Sequence, residues 1–254
     1  MTAASIAALL AASAGAGVMN AMAVGGTILT FPALLLLGEN AIVANATSTV
    51  ALLPGAAASM AGYRREVREH RAWLTTLLLP SLVGGAIGSM LLLRTPARIF
   101  ETMAPWLILF ATALFFIQGA VARWSAAPHP GALSRRRRIA VMAFQFGVAI
   151  YGGYFGAGIG ILMLAALGFL GLSDIHAMNG LKNFFGIAIN LVAAAVFIVR
   201  GAVAWPPALI MAAGAIAGGY FGAGLARSIG RRNARLAVVI IGIFAAAVLL
   251  LRRV

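Results

Sequence analysis

The only lysine of this sequence lies inside an apolar stretch, in the run Asn179-Gly-Leu-Lys182-Asn183. Counted from Asn179 as position i, Lys182 is i+3 and Asn183 is i+4. This spacing puts all three side chains on one face of a helix. A buried ammonium is costly in a membrane unless it is paired, and it marks a functional site by default. We therefore expect Lys182 to contact an anion; the alternatives are an ion pair with Asp174 or snorkelling to the membrane interface.

Two glycine-rich stretches, 15–26 and 152–160, interrupt apolar segments that are too long for one membrane crossing. Each glycine lowers helix stability by up to about 1 kcal/mol relative to alanine, so the stretches predict helix breaks. The pieces on either side would be roughly 12–16 residues long, too short to span the bilayer without tilt. Free N–H groups at the start of a half-helix attract anions. The alternative is that the glycines only let helices pack closely.

The candidate substrate-binding site combines these breaks with the polar clusters that follow them in each half of the chain. Threonine and serine hydroxyls can serve a ligand, although in membrane helices they more often bond back to their own turn. The predicted substrate-binding residues are Asn20, Gly25, Gly26, Thr27, Thr30, Asn45, Thr47, Ser48, Gly153, Gly156, Gly158, Gly160, Asn179, Lys182 and Asn183.

Asp174 and His176 form a second candidate, for proton coupling, in the sequence Leu-Ser-Asp-Ile-His-Ala. A histidine near a carboxylate can titrate near neutral pH and carry a proton. The alternative is a structural role, with Ser173 or Asp174 as the N-cap of the helix that follows.

The composition excludes a water-soluble domain. Of 254 residues, 63% are hydrophobic and 9% are charged, and the mean hydropathy is +1.02. Soluble domains have roughly 45–50% apolar and about 25% charged residues, and disordered chains are poor in apolar residues. Runs of about 20 apolar residues predict an all-α integral membrane protein. The apolar segments fall near 3–37, 42–62, 73–93, 102–122, 139–170, 177–199, 205–226 and 236–251.

A basic linker rich in Pro, Gly and Ser, at 123–138, divides these segments into four and four. We therefore predict a first transmembrane repeat at 1–122 and a second at 139–254. An offset of 133 residues aligns glycine and apolar positions of the two halves, with Gly25 falling on Gly158. The two repeats would be homologous, each starting with a broken, re-entrant helix pair.

Arginines concentrate in the gaps between apolar segments, and Lys plus Arg outnumber Asp plus Glu by 19 to 5. This is the positive-inside pattern of cytoplasmic loops that face anionic lipid. If each broken segment returns to its starting side, the two sides collect 13 and 5 arginines; if each crosses once, they collect 12 and 6. The first arrangement fits better and makes the repeats inverted. No basic face is interleaved with aromatics, so nucleic acid is not an expected partner.

Signatures of enzymes are absent from the sequence. The three histidines are far apart, no cysteine is present, and carboxylates are too few for paired-acid or two-metal chemistry. Neither metalloprotease, serine-hydrolase nor P-loop motifs occur. We therefore expect no catalytic residue, no metal and no cofactor.

Several motifs resemble the sulfite exporter TauE/SafE family, also called DUF81 or TSUP permeases. They are Gly25-Gly26-x-x-Leu-Thr-Phe-Pro-Ala-Leu, Ala44-x-Ala-Thr-Ser, Gly158-Ile-Gly-Ile-Leu-Met-Leu-Ala-Ala-Leu-Gly and Asp174-Ile-His-Ala-Met-Asn-Gly-Leu-Lys-Asn. The resemblance covers essentially the whole chain. It implies a multi-pass permease of the bacterial inner membrane that moves sulfite, sulfoacetate, thiosulfate or a similar small anion.

Together these observations predict a secondary transporter that works by alternating access, with its site near the membrane midplane. Two other classes remain open at this point, a passive anion channel and a membrane scaffold or assembly protein without transport. Flux that does not saturate would distinguish the channel, and the lack of stabilisation by any small anion would distinguish the scaffold.

Overall fold

The computed structural model describes residues 1–23, 25–60, 64–125, 134–170, 172, 174–229 and 231–251. Every regular element in these ranges is an α-helix. The helices are α1 (Ala3–Ala23), α2 (Thr27–Leu36), α3 (Ala41–Met60), α4 (Arg64–Glu69), α5 (Arg71–Arg94), α6 (Ala97–Ser125), α7 (Arg135–Tyr154), α8 (Ile159–Phe169), α9 (Ile175–Val199), α10 (Trp205–Ile229) and α11 (Arg231–Leu251).

Five of the described helices contain windows long and apolar enough to cross a membrane, and they lie in α1, α3, α5, α6 and α9. Large apolar side chains remain exposed on the helix surfaces, among them Leu79, Trp106 and Phe116. Such a surface suits lipid, whereas a soluble monomer rarely exposes large contiguous apolar patches. The chain is therefore an all-helical membrane protein, as the composition predicts.

Both long apolar segments are interrupted, but the breaks are narrower than predicted. Only residues 24–26 separate α1 from α2, and only 155–158 separate α7 from α8. The first helix of each pair is long, with 21 residues in α1 and 20 in α7, and only the second is short, with 10 and 11. The expectation of 12–16 residues on each side is wrong because glycines such as Gly17 stay helical, where they serve packing.

The short helices fold back along their long partners. In the second pair, the Nε–H of Arg137 at the start of α7 donates to the carbonyl oxygen of Phe169 at the end of α8. In the first pair, the backbone at Gly26 lies against Ala16, and Leu29, one turn further along α2, reaches Gly15, the residue before Ala16 in α1. Each pair is thus an antiparallel helical hairpin with glycine at its tip.

The first helix of each half packs against the third long helix of the other half. A Cβ at Gly218 of α10 would overlap the carbonyl oxygen of Ala14 in α1. A Cβ at Gly88 of α5 would likewise overlap the carbonyl oxygen of Ile150 in α7. Backbones this close exclude any side chain at the contact, so glycine is required there. Both pairs of helices run parallel, since Gly84 meets α7 one turn before Gly88 does, and Gly214 meets α1 one turn before Gly218 does.

The connection between the halves is shorter than the predicted linker. Helix α6 continues to Ser125, and α7 begins at Arg135, so that all of Arg135–Arg138 is helical. The side-chain oxygen of Ser134 accepts the backbone N–H of Arg137 at 3.2 Å and caps α7. The middle of the predicted linker, 126–133, lies outside the described residues. Helix α4 was not predicted and occupies part of a predicted loop.

Candidate functional site

The two hairpin tips meet in the interior of the molecule. A Cβ at Gly25 would lie 3.2 Å from the backbone nitrogen of Gly158 and 2.6 Å from the ring of Phe115. Gly158 has φ +77°, a left-handed conformation in which glycine is the favoured residue. Residues 133 positions apart in the sequence are therefore in contact, and each needs glycine for its own steric reason.

A small polar cavity opens where the tips meet. Both hairpins and the helices α3 and α9 contribute to its wall. Its volume of about 20 Å³ is little more than one water molecule requires. The lining residues are Asn20, Gly25, Thr27, Thr49, Leu52, Ala56, Gly156, Asn183, Gly186, Ile187 and Asn190.

Asn20 organises the first tip. Its Oδ1 accepts the backbone N–H groups of both Gly25 and Gly26, at 2.8 and 2.9 Å. These donors precede the short helix α2 and were predicted to hold an anion; the side chain of α1 satisfies them in this conformation. The Asn20 side chain, which is mostly buried, thereby joins the end of α1 to the start of α2.

The second tip is held by a tyrosine and an asparagine. The hydroxyl of Tyr151 donates to the carbonyl oxygen of Ala157 at 2.7 Å, within the break itself. The Nδ2 of Asn45, on α3, donates to the carbonyl oxygen of Tyr154 at 3.1 Å. The last carbonyls of a helix have no intrahelical partner, so Asn45 caps the end of α7. It supports the site from behind and does not line the cavity.

Asn183 faces the cavity from α9. Its side chain is 5% exposed, and its Oδ1 has no hydrogen-bond partner among the described residues. A buried amide oxygen without a partner costs about 1–3 kcal/mol of folding stability. In a cavity wall, such an atom is available to a ligand that supplies a hydrogen-bond donor or a positive charge.

Lys182 is buried but does not line the cavity. Its side chain is 1% exposed, and its Nζ donates to Oδ1 of Asn179 at 3.0 Å. The predicted shared face of these two residues is therefore present. Lys182 is one position before Asn183, and this rotates it about 100° around the helix away from the cavity wall. Its ammonium lies toward the start of α9.

The remaining predicted hydroxyls bind protein groups. Thr30 pairs with Ser48 and also donates to the carbonyl oxygen of Gly26. Thr47 accepts the backbone N–H of Ala204, just before α10, at 3.0 Å. These bonds fasten the first hairpin and the start of α10 to α3, around the site. Gly153 packs against Gly85 of α5 and provides close helix contact.

Of the fifteen predicted binding residues, the cavity wall thus includes only five. They are Asn20, Gly25, Thr27, Gly156 and Asn183. The others lie beside the wall or in the contacts that support it. Gly160 is buried in the first turn of α8.

Asp174 and His176 lie at the exposed start of α9. Oδ1 of Asp174 accepts the backbone N–H of His176 at 2.9 Å, so Asp174 is the N-cap of α9. This is the structural role considered for it above. Ser173, the other candidate cap, lies outside the described residues.

The prediction missed six lining residues, and the internal offset contains a signal for them. Thr49, Leu52 and Ala56 on α3 lie 134 positions before Asn183, Gly186 and Asn190 on α9. The two helices thus present corresponding positions to one cavity. Applying to Asn183 an offset of 134, one residue more than the offset that aligns Gly25 with Gly158, would have identified Thr49 from the sequence.

The fold and the site define a multi-pass membrane protein in which two broken helix pairs enclose a polar cavity. The model of the sulfite exporter TauE/SafE family matches residues 9–249. The chain therefore belongs to this family of membrane transporters, as its motifs indicate.

Relatives support the same class. The chain is 30% identical to a probable membrane transporter protein of Haemophilus influenzae over 232 residues, 89% of this chain and 86% of the relative. It is 26% identical to the probable membrane transporter protein ORF9 of Sinorhizobium sp over 234 residues, 90% and 85% of the two chains. It is also 26% identical to the probable membrane transporter protein YfcA of Escherichia coli K12, over 92% and 86%. These names all describe membrane transporters.

Proposed function

We propose that this protein is a secondary transporter of the bacterial inner membrane that moves a small anion by alternating access. The observation that carries the proposal is the polar cavity between two glycine-tipped hairpins, one from each half. Broken helices that meet at such a site are typical of secondary transporters. The family name favours a sulfur oxyanion or organosulfonate such as sulfite, thiosulfate or sulfoacetate.

Helix directions support an inverted arrangement of the two repeats. Helix α1 runs parallel to α10. Helix α3 also runs parallel to α10, because Thr47 contacts Ala204 and, further along both helices, Gly55 contacts Ala215. Helix α5 follows α3 and the short helix α4, and its end at Thr95 meets Tyr154, which Asn45 at the start of α3 also contacts. Helix α5 therefore runs opposite to α3 and parallel to α7. Thus α1 and α7, the first helices of the two halves, point in opposite directions. This arrangement collects 13 arginines on one side, which would be the cytoplasmic side.

The lining can bind an anion through neutral donors. Asn20, Thr27 and Asn183 carry amide or hydroxyl groups at the cavity wall, and α2 begins beside it with the positive end of its dipole. The ammonium of Lys182 adds a positive potential from just outside the wall. Replacing hydration by several fixed donors is how a protein holds a dehydrated anion.

The small volume argues for gated access and against an open pore. A four-atom oxyanion needs more space than about 20 Å³, so the cavity has to widen before substrate enters. The helix pair α1–α10 and the helix pair α5–α7 would each stay packed while one pair moves relative to the other, as alternating access requires.

The test is ligand-dependent stability followed by transport. The purified protein would be melted in the presence of sulfite, thiosulfate, sulfate, sulfoacetate, taurine and simple carboxylates. A ligand at a hundred times its Kd stabilises the folded state by about 2.7 kcal/mol. A selective shift with one sulfur anion, weakened in Asn183→Ala and kept in Thr112→Val on α6, would support the site. No shift with any anion would contradict it.

Proteoliposomes loaded with the same anion then separate the transporter from a channel. A transporter gives saturable uptake and counterflow, because each substrate molecule requires a conformational cycle. Flux that rises linearly with concentration, without counterflow, would instead favour a channel.

A further inference from the structure

A group of oxygen atoms surrounds one side of Gly156, at the second hairpin tip. The three heavy atoms nearest the point where a Cβ would stand are all oxygens: the carbonyl oxygen of Gly152 at 3.1 Å, Oδ1 of Asn190 at 3.8 Å and Oγ1 of Thr27 at 4.0 Å. Gly156 has φ +83° and carries no side chain to fill this space. The three oxygens come from α7, α9 and α2, so elements of both halves converge there.

Two further features make this region negative. The carbonyl of Gly152 belongs to the last turn of α7, where carbonyls have no intrahelical donor and the helix dipole is negative. Oδ1 of Asn183 lines the same cavity from α9 and is buried without a partner among the described residues. The end of α7 therefore adds negative potential beside Gly156, and the Asn183 side chain of α9 adds it in the cavity wall.

The chemistry of these groups fits a small metal cation and does not fit a proton. Amide, hydroxyl and carbonyl oxygens cannot be protonated near neutral pH, and none of the described residues lining the cavity is acidic, basic or a histidine. Hard cations prefer such oxygen ligands, and in transporters with broken helices the unwound carbonyls and helix C-terminal ends coordinate Na⁺. The tight space favours Na⁺ over the larger K⁺.

We propose that the Gly156 oxygen cluster, defined as the Gly152 carbonyl, Thr27, Asn183 and Asn190, binds Na⁺ as the coupling ion. The inference rests on the proposed anion transport, whose charge Na⁺ would balance in the same cavity. The first tip, with the start of α2, suits the anion, and the second tip, with the end of α7, suits the cation. Thr27 lies at both tips, so the two ions would bind close together. Because their charges are opposite, binding of either ion favours binding of the other.

The test measures Na⁺ binding and transport separately. Purified protein is melted in NaCl, KCl and choline chloride at equal ionic strength and without any sulfur anion. We expect a higher melting temperature in Na⁺ only. Thr27→Val, which is nearly isosteric, should raise the half-effective Na⁺ concentration by about tenfold, since one of few oxygen ligands is lost. Thr27→Ser keeps the oxygen ligand and should restore the Na⁺-dependent shift that Thr27→Val loses, whereas Thr112→Val, outside the cavity wall, should behave as the wild type.

Uptake of the anion into proteoliposomes is then driven by a Na⁺, K⁺ or proton gradient. We expect stimulation by the inward Na⁺ gradient, lost in Thr27→Val and kept in Thr27→Ser. Equal melting curves in all three salts, or uptake driven by protons without Na⁺, would overturn the Na⁺ site and leave the anion transporter intact. A Na⁺ shift without uptake of any anion would support the site while contradicting the proposed function.

Discussion

At the scale of single residues, the site depends on which atom of a side chain is already engaged. Asn20 was predicted to bind substrate, but its Oδ1 holds the two N–H groups that were predicted to bind substrate with it. Its Nδ2 is then the group that it can offer to a ligand. The sequence places an asparagine near the break, yet nothing in a linear pattern says that it would fold back onto Gly25 and Gly26.

Replacing Asn20 tests this capping role. Asn20→Ala leaves two buried N–H groups without an acceptor, which costs about 1–3 kcal/mol for each, so a markedly lower melting temperature is expected. Asn20→Asp keeps both hydrogen bonds and should retain more stability. The added negative charge at the cavity should nevertheless abolish stabilisation by sulfur anions. Equal loss of stability in the two variants would contradict the cap.

Lys182 provides a prediction about charge at a distance. A unit charge near a bound anion contributes on the order of 1–2 kcal/mol at an effective dielectric constant near 20. Lys182→Met removes the charge at similar length, so the anion Kd should rise by about tenfold. Lys182→Arg keeps the charge and should bind with nearly wild-type affinity. Titration of ligand-dependent melting measures both variants, and unchanged affinity in Lys182→Met would remove the residue from the mechanism.

At the scale of helices, glycine has two separate uses that the sequence alone does not distinguish. Gly156 and Gly158 make turns with positive φ, while Gly88 and Gly153 remain helical and admit another backbone. The clusters predicted that both apolar segments break, since several poor helix formers in a row mark weak points. The clusters did not predict at which residue each helix breaks. Some of their glycines stay helical because a neighbouring helix packs against them and supports the helix there.

Alanine substitutions separate the two uses. Gly153→Ala places a methyl group against the carbonyl oxygen of Gly85 and should lower stability by about 1–3 kcal/mol. Gly147 is in the same helix α7 but has nothing within 4 Å of its Cβ position. Gly147→Ala should therefore be neutral or stabilise by up to about 1 kcal/mol. Melting temperatures in detergent compare the pair, and a similar loss in both would argue against the close contact of α5 with α7.

At the scale of the whole molecule, the sequence predicted where the helices lie better than which helices pack against each other. All eight apolar segments correspond to helices or helical hairpins, because length and apolarity are local properties. The packing of α1 against α10 and of α7 against α5, across the two halves, was not predicted. Hydrophobic periodicity shows which face of a helix is buried, but it does not show which helix covers that face. Six of the eleven lining residues were missed for the same reason.

The proposed inverted topology can be mapped with single cysteines, since the natural sequence contains none. Thr2 precedes α1 and Ser134 precedes α7, and both are exposed. In intact cells, an impermeant maleimide should label Thr2→Cys but not Ser134→Cys, because the side with 13 arginines faces the cytoplasm. Permeabilised cells should label both. Equal accessibility of the two variants in intact cells, with both or neither labelled, would rule out the inversion.

The pairing of α1 with α10 also has a consequence for the order of synthesis. About 180 residues separate the end of α1 from the start of α10. At roughly 5–20 residues per second, the glycine face of α1 is made about 10–40 s before its partner leaves the ribosome. The first helix therefore has to be kept in the membrane, against lipid or an insertion factor, while most of the chain is still being translated. A nascent chain stopped after the first half would present that face unpaired, because its partner helix would not yet exist.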